Sequence, residues 1–189
     1  MNIDNRENSQ ISHKASDQIN KAQKDKKLAW RDIKGFGIKL IVTLLMIWIL
    51  LFYVFGVTVM QGEDMYPRIR DGDLMIYYRL QRSYFIGDVV TFSNKDRRYT
   101  GRIVAKAGDI VDISENGQLL VNGNVQEEEI FYKTGKIAGK VDFPCIVPKG
   151  EVFLLCDFRT NSIDSRSYGA VSIESLDGKV ITILRRRGI

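Results

Sequence analysis

Residues 40–60, LIVTLLMIWILLFYVFGVTVM, form a run of 21 residues without a single charge. About 20 apolar residues suffice for a helix to cross the hydrocarbon of a bilayer, so this run constrains what the rest of the chain can be. It is apolar on every side, which disfavours a core helix with one buried face. It fits poorly as a cleaved leader: the charged segment before it is too long, the run exceeds a normal leader core, and no cleavage site of small residues follows. A single membrane-spanning helix over 40–60 is expected. It divides the chain into a tail (1–39), the span, and a domain of ordinary size (61–189).

The tail carries nine Lys and Arg against five Asp and Glu. Basic residues ahead of a span stay on the cytoplasmic side, which places the N-terminus in the cytoplasm and residues 61–189 outside the cell. Over the whole chain 28 basic residues face 23 acidic ones, a net charge of +5. The excess forms no stripe interleaved with aromatics, so nucleic acid is not an expected partner. Membrane lipid is, through the one anchor. The terminal Arg185–Arg187 read as a solvated strand end or as contacts to anionic head groups.

The lone histidine, His13, lies in the tail. The domain beyond it has no imidazole, which excludes Ser-His triads and histidine-ligated zinc. Cys145 and Cys156 match no zinc spacing, and no metal or cofactor is expected. The two cysteines could be disulfide-bonded in an extracellular domain. Two buried free thiols fit equally well, because the sequence does not give their separation.

After Gly62 the pattern changes to short runs rich in β-branched and aromatic residues: DLMIYYRL (73–80), DVVTFSN (88–94), DIVDISE (109–115), QLLVNG (118–123), EVFLLCD (151–157) and GKVITILR (178–185). Most are bounded by Gly, Asp or Asn. Asn-Gly pairs at 116–117 and 122–123 mark a hairpin, and 124–142 reads as turn-rich. The fold class expected is mainly β, an antiparallel domain following one N-terminal transmembrane helix. Nothing in the pattern specifies an oligomeric state.

Four blocks of this domain resemble the type I signal peptidases, membrane-anchored Ser/Lys proteases that remove secretory signal peptides. GEDMYPRIRDGD (62–73) is similar to the family segment in which Ser-Met-x-Pro holds the nucleophile, here with Met65 and Pro67. YFIGDVVTF (84–92) and RRYTGRIVAKAGD (97–109) resemble two further family blocks, and CDFRTNSIDSRSYG (156–169) resembles the most specific one. The resemblance spans roughly residues 36–189 and implies the signal-peptidase-like β fold.

The departures fall on the dyad. Asp64 stands where the family has the serine nucleophile, and Gly101 stands before Arg102 where it has the lysine base. A desolvated lysine takes the serine proton because its pKa is lowered, and glycine has no side chain for that task. The expectation from these positions is a chain that is not an enzyme. Two-carboxyl proteolysis would need a partner for Asp64: Glu63 points to the opposite face of an extended strand, and the resemblance assigns Asp164 to a structural ion pair with Arg166. Lys106 matches a leucine of the family block. Ser162 matches the residue that hydrogen-bonds the lysine base.

The pairing of Asp and Gly at the dyad positions also resembles the signal-peptidase-like proteins of Gram-positive pilus systems. There the protein acts as an assembly factor or chaperone in sortase-dependent polymerisation. That resemblance implies pilin subunits, and with them the pilus sortase, as partners, bound through the vestigial cleft. The alternative is a signal peptidase with a rebuilt active site that cleaves secretory or pilin signal peptides.

Overall fold

The computed structural model describes residues 30, 32–94, 97–127, 130–137, 141–160 and 162–185. The expectations for His13, most of the tail, Arg186 and Arg187 lie outside the described residues. The chain divides into two compact units between Leu51 and Phe52.

The helix α1 (Asp32–Val54), which begins in the first unit, is long and apolar enough to cross a membrane and has none of its apolar window buried by protein. The expected span over 40–60 therefore ends early. Phe55–Val59 is not helix but strand β1. The sequence FGVTV explains the switch: Gly56 and the β-branched Val57, Thr58 and Val59 are weaker helix formers than the Leu and Ile before them. Hydrophobicity alone cannot separate a strand from the end of an apolar helix. Gly56 is also required by packing, because a Cβ there would lie 2.1 Å from the Cζ of Tyr77, itself only 1% exposed.

The second unit is built from two antiparallel sheets. The strands are β1, β2 (Leu74–Tyr78), β3 (Val89–Asn94), β4 (Arg97–Lys106), β5 (Ile110–Ile113), β6 (Leu119–Val121), β7 (Asn124–Val125), β8 (Cys145–Ile146), β9 (Glu151–Leu155), β10 (Val171–Ser172) and β11 (Leu176–Leu184). The larger sheet runs β1-β2-β11-β3-β4-β9-β10 and the smaller β7-β6-β5-β8. All six runs read as strands are strands. Asn122 and Gly123 both have positive φ, 54° and 79°, as a two-residue hairpin between β6 and β7 requires.

β9 shows why the larger sheet has no solvent face at its centre. Val152 and Leu154 enter one core cluster with Val90, Phe92 and Ile103, while Phe153 and Leu155 enter another with Val104, Val111 and Leu119. Successive side chains point to opposite faces, so a strand covered on both sides must be apolar throughout. A third cluster, Met60, Met65, Ile69, Met75 and Cys156, lies under the loop between β1 and β2. That cluster positions the site.

Candidate functional site: a groove across Asp64

The loop between β1 and β2 is closed at its neck by two main-chain hydrogen bonds, Met60 N–H to Asp73 O at 2.8 Å and Gly72 N–H to Met60 O at 2.9 Å. Inside it, the Gly62 N–H donates to Asp71 Oδ1 at 2.7 Å and the Arg70 N–H to Asp73 Oδ2 at 3.0 Å. Met65 and Ile69 are pegs, 0% and 1% exposed. Burying a side chain of that size contributes about 1.5–3 kcal/mol. With Met65 pointing into the core, its neighbour Asp64 is left half-buried at the surface. Pro67 follows a cis peptide bond after Tyr66.

A second loop, following β9, clasps the first. The Phe158 N–H donates to the main-chain oxygen of Asp64 at 2.9 Å. The Ser162 hydroxyl donates to Phe158 O at 2.6 Å and lies 3.4 Å from the same Asp64 oxygen. The Phe158 ring packs edge-on against Tyr66 and Tyr132, with centroids 6.4 and 4.7 Å away.

Ion pairs hold this second loop in shape. Arg166 grips Asp164 through Nε and Nη2 at 2.8 and 2.9 Å, and Asp164 also accepts the Cys156 N–H at 3.1 Å. Arg102 forms a similar fork with Asp157. Both oxygens of Asp164 accept from its arginine, while its charge still reaches Asp64. Lys106 is occupied elsewhere: its Nζ donates to Tyr84 O at 3.0 Å.

β4 supplies the remaining wall. Arg97, Tyr99 and Gly101 alternate along one face. The Arg97 guanidinium lies 5.5 Å from the Tyr99 ring centroid, and Tyr99 stacks on Phe92 at 5.4 Å. Gly101 lines neither cavity described below. It is backed by Leu154, whose Cβ would be 3.3 Å from a Cβ added there.

Two cavities meet at Asp64, Arg97 and Tyr99. One, of about 330 Å³, extends toward Thr58, Val59 and Gln61. The other, of about 400 Å³, extends toward Thr160, Ser162 and Ser167. Together they make one groove passing over Asp64, beside β1 at the edge of the larger sheet. Burial pushes the Asp64 carboxyl above its ordinary range; Ser162 and the charge of Arg97 act against this, while Asp164 adds to it. Of the two opposing influences the Ser162 hydroxyl is the larger, and the same hydroxyl also makes the short contact to Phe158 O.

Arg97 and Tyr99 were not among the residues singled out from the sequence. Their signal was the period-two spacing Arg97-x-Tyr99-x-Gly101 on a strand. Arg185 docks on the Asp64 loop, with Nη2 donating to Arg68 O at 3.0 Å and Nε 3.8 Å from Asp73 Oδ2. Cys145 and Cys156 are free thiols, so the possible disulfide does not form. The reason is their placement: Cys145 sits on β8 of the smaller sheet against one cluster, and Cys156 is buried in another.

The site is thus a groove alongside the edge of a mainly antiparallel sheet. The chain belongs to the signal peptidase family: the model described as signal peptidase, peptidase S26, matches residues 33–184. Signal peptidase I of Bacillus caldolyticus is 34% identical over 145 residues, covering 68% of this chain and 78% of that protein. Signal peptidase IB of Staphylococcus aureus is 33% identical over 144 residues, covering 64% and 72%. A solved signal peptidase I from Enterococcus faecalis V583 aligns at 23% identity with a TM-score of 0.45, over 53% of this chain and 98% of its own.

These findings correct one expectation. The reading of the chain as not an enzyme rested on Asp64 and Gly101, yet the relatives it matches across most of its length are named as signal peptidases. The physical reason is that two residue types report on one dyad. They do not report on everything a cleft with a half-buried carboxylate can do.

Proposed function

We propose that this protein is a membrane-anchored member of the signal peptidase family that binds extended segments of secreted subunits in the groove over Asp64. In this reading α1 is the anchor. The Lys- and Arg-rich tail lies in the cytoplasm, and the β domain works outside, where chains leave the membrane. The subunits are pilins, and the protein serves as an assembly factor in sortase-dependent pilus polymerisation, with the sortase as a further partner. The observation that carries the reading is the groove running from the β1 edge past Asp64, with Val57 and Val59 57% and 50% exposed. An edge strand offers unpaired main-chain groups to an incoming strand.

A photo-crosslinker at Thr58 in cells making pilins tests this. Adducts to pilin subunits support it, and adducts only to unrelated membrane proteins overturn it.

The names of the relatives favour a second reading, removal of signal peptides from secretory or pilin precursors. Incubating the full chain in detergent with a pre-pilin and a secretory pre-protein decides it. A cleaved product that disappears in Asp64→Ala supports a peptidase using this carboxylate, and an uncleaved precursor beside a positive control overturns that reading.

A further inference from the structure

The cavity of about 400 Å³ has a lining unlike that of the rest of the groove. Its lining sets the Asp64 carboxyl among the hydroxyl residues Tyr99, Thr160, Ser162 and Ser167. Ser162 is 6% exposed, with its hydroxyl 2.6 Å from Phe158 O and beside the Asp64 carboxyl, and its oxygen has lone pairs to offer a ligand. Asp64, when ionised, only accepts. Among the described residues no salt bridge reaches Asp64. The cation that lines this cavity, Arg97, is exposed at the rim and turned onto the Tyr99 ring. Ile137 and Ile163 supply apolar wall.

Hydroxyl oxygens that can accept, apolar wall beside them and a carboxylate that no salt bridge reaches among the described residues together describe a ligand with a cationic donor tip on an aliphatic stem. A primary ammonium suits this better than a guanidinium. It offers three rotatable donors to converging acceptors, whereas the guanidinium fork favours a carboxylate presented edge-on.

We propose that the Asp64–Ser162 cavity is a binding site for a lysine side chain of the bound peptide, its ammonium on Asp64 and Ser162 and its methylenes against Ile137 and Ile163. This rests on the groove being a peptide site, as proposed above. The burial that disfavours the Asp64 charge in the empty groove is offset when an ammonium arrives, so lysine binding and ionisation of Asp64 are coupled.

The test measures binding of two nonapeptides, rich in Ala and Thr with either lysine or norleucine at the centre, to the full chain in detergent at neutral pH by calorimetry. One charge-assisted hydrogen-bonded contact corresponds to about tenfold in affinity, so the lysine peptide is expected to bind about tenfold more tightly than its norleucine twin. Asp64→Asn should bring the two to the same affinity, and n-butylammonium should compete with the lysine peptide on the wild-type chain. Equal affinities on the wild-type chain overturn the lysine site and leave the groove reading standing. A lysine preference that survives Asp64→Asn also overturns the site. Binding of neither peptide overturns the groove reading, and the lysine site with it.

Discussion

Arg166 holds both carboxylate oxygens of Asp164, at 2.8 and 2.9 Å, with both side chains fully buried. The same arginine reaches Gly135 O at 3.0 Å, and Asp164 accepts the Cys156 N–H, so the pair ties three chain segments together. Removing one partner leaves an uncompensated buried charge, which costs about 3–5 kcal/mol. Arg166→Met is expected to destabilise the domain by that amount, measured by urea unfolding. Replacing both residues with apolar ones of similar volume should cost less.

Asp64 should destabilise the native state at neutral pH. Its carboxyl is pushed up from 3.8, first by burial and then by Asp164, with Ser162 and Arg97 opposing. A raised carboxylate pKa means that the folded chain holds the proton where the unfolded chain has lost it. Stability therefore falls as pH rises from the ordinary carboxylate value through the raised one, and the penalty persists above that. Asp64→Asn should have a higher Tm than wild type at neutral pH, with the difference vanishing below the ordinary carboxylate range. Thermal scans across pH check this.

Two glycines should respond unequally to alanine. At Gly101 the new Cβ meets Leu154 Cβ at 3.3 Å, a contact that a slight shift relieves, while at Gly56 it would strike the buried Tyr77 ring at 2.1 Å. Overpacking costs about 1–3 kcal/mol. Gly56→Ala is expected at or beyond the top of that range and Gly101→Ala at its foot, both read from denaturant midpoints.

The two thiols should differ in reactivity. Burial raises both thiol pKa values, and Cys156 is additionally 2% exposed and faces the charges of Asp164 and Asp64. Only the thiolate attacks an alkylating reagent. Under native conditions Cys145 should be alkylated first, with Cys156 reacting only on unfolding, as mass spectrometry of timed samples would record. Reducing agent should leave Tm unchanged.

Much was legible in the sequence because it depends on local chemistry. Alternating β-branched residues mark strands such as Val89–Asn94, the Asn122-Gly123 pair marks its hairpin, and an uncharged run marks α1. Where the apolar run stops being helix was not legible. β1 exists because its main-chain groups find β2 and Tyr77 covers Gly56, facts of tertiary pairing that hydrophobicity does not encode.

The motifs likewise placed Asp64, Ser162, Asp164 and Arg166 near a site, since each sits in a recognisable local pattern. Only the tertiary structure decided what those residues do. It sets the Ser162 hydroxyl between Phe158 and Asp64, pairs Asp164 with Arg166, and brings Arg97 and Tyr99 from β4 to the groove. Residue type fixes which bonds a side chain can make. Which bonds it does make depends on neighbours distant in the chain, here Asp64 and Ser162, 98 residues apart.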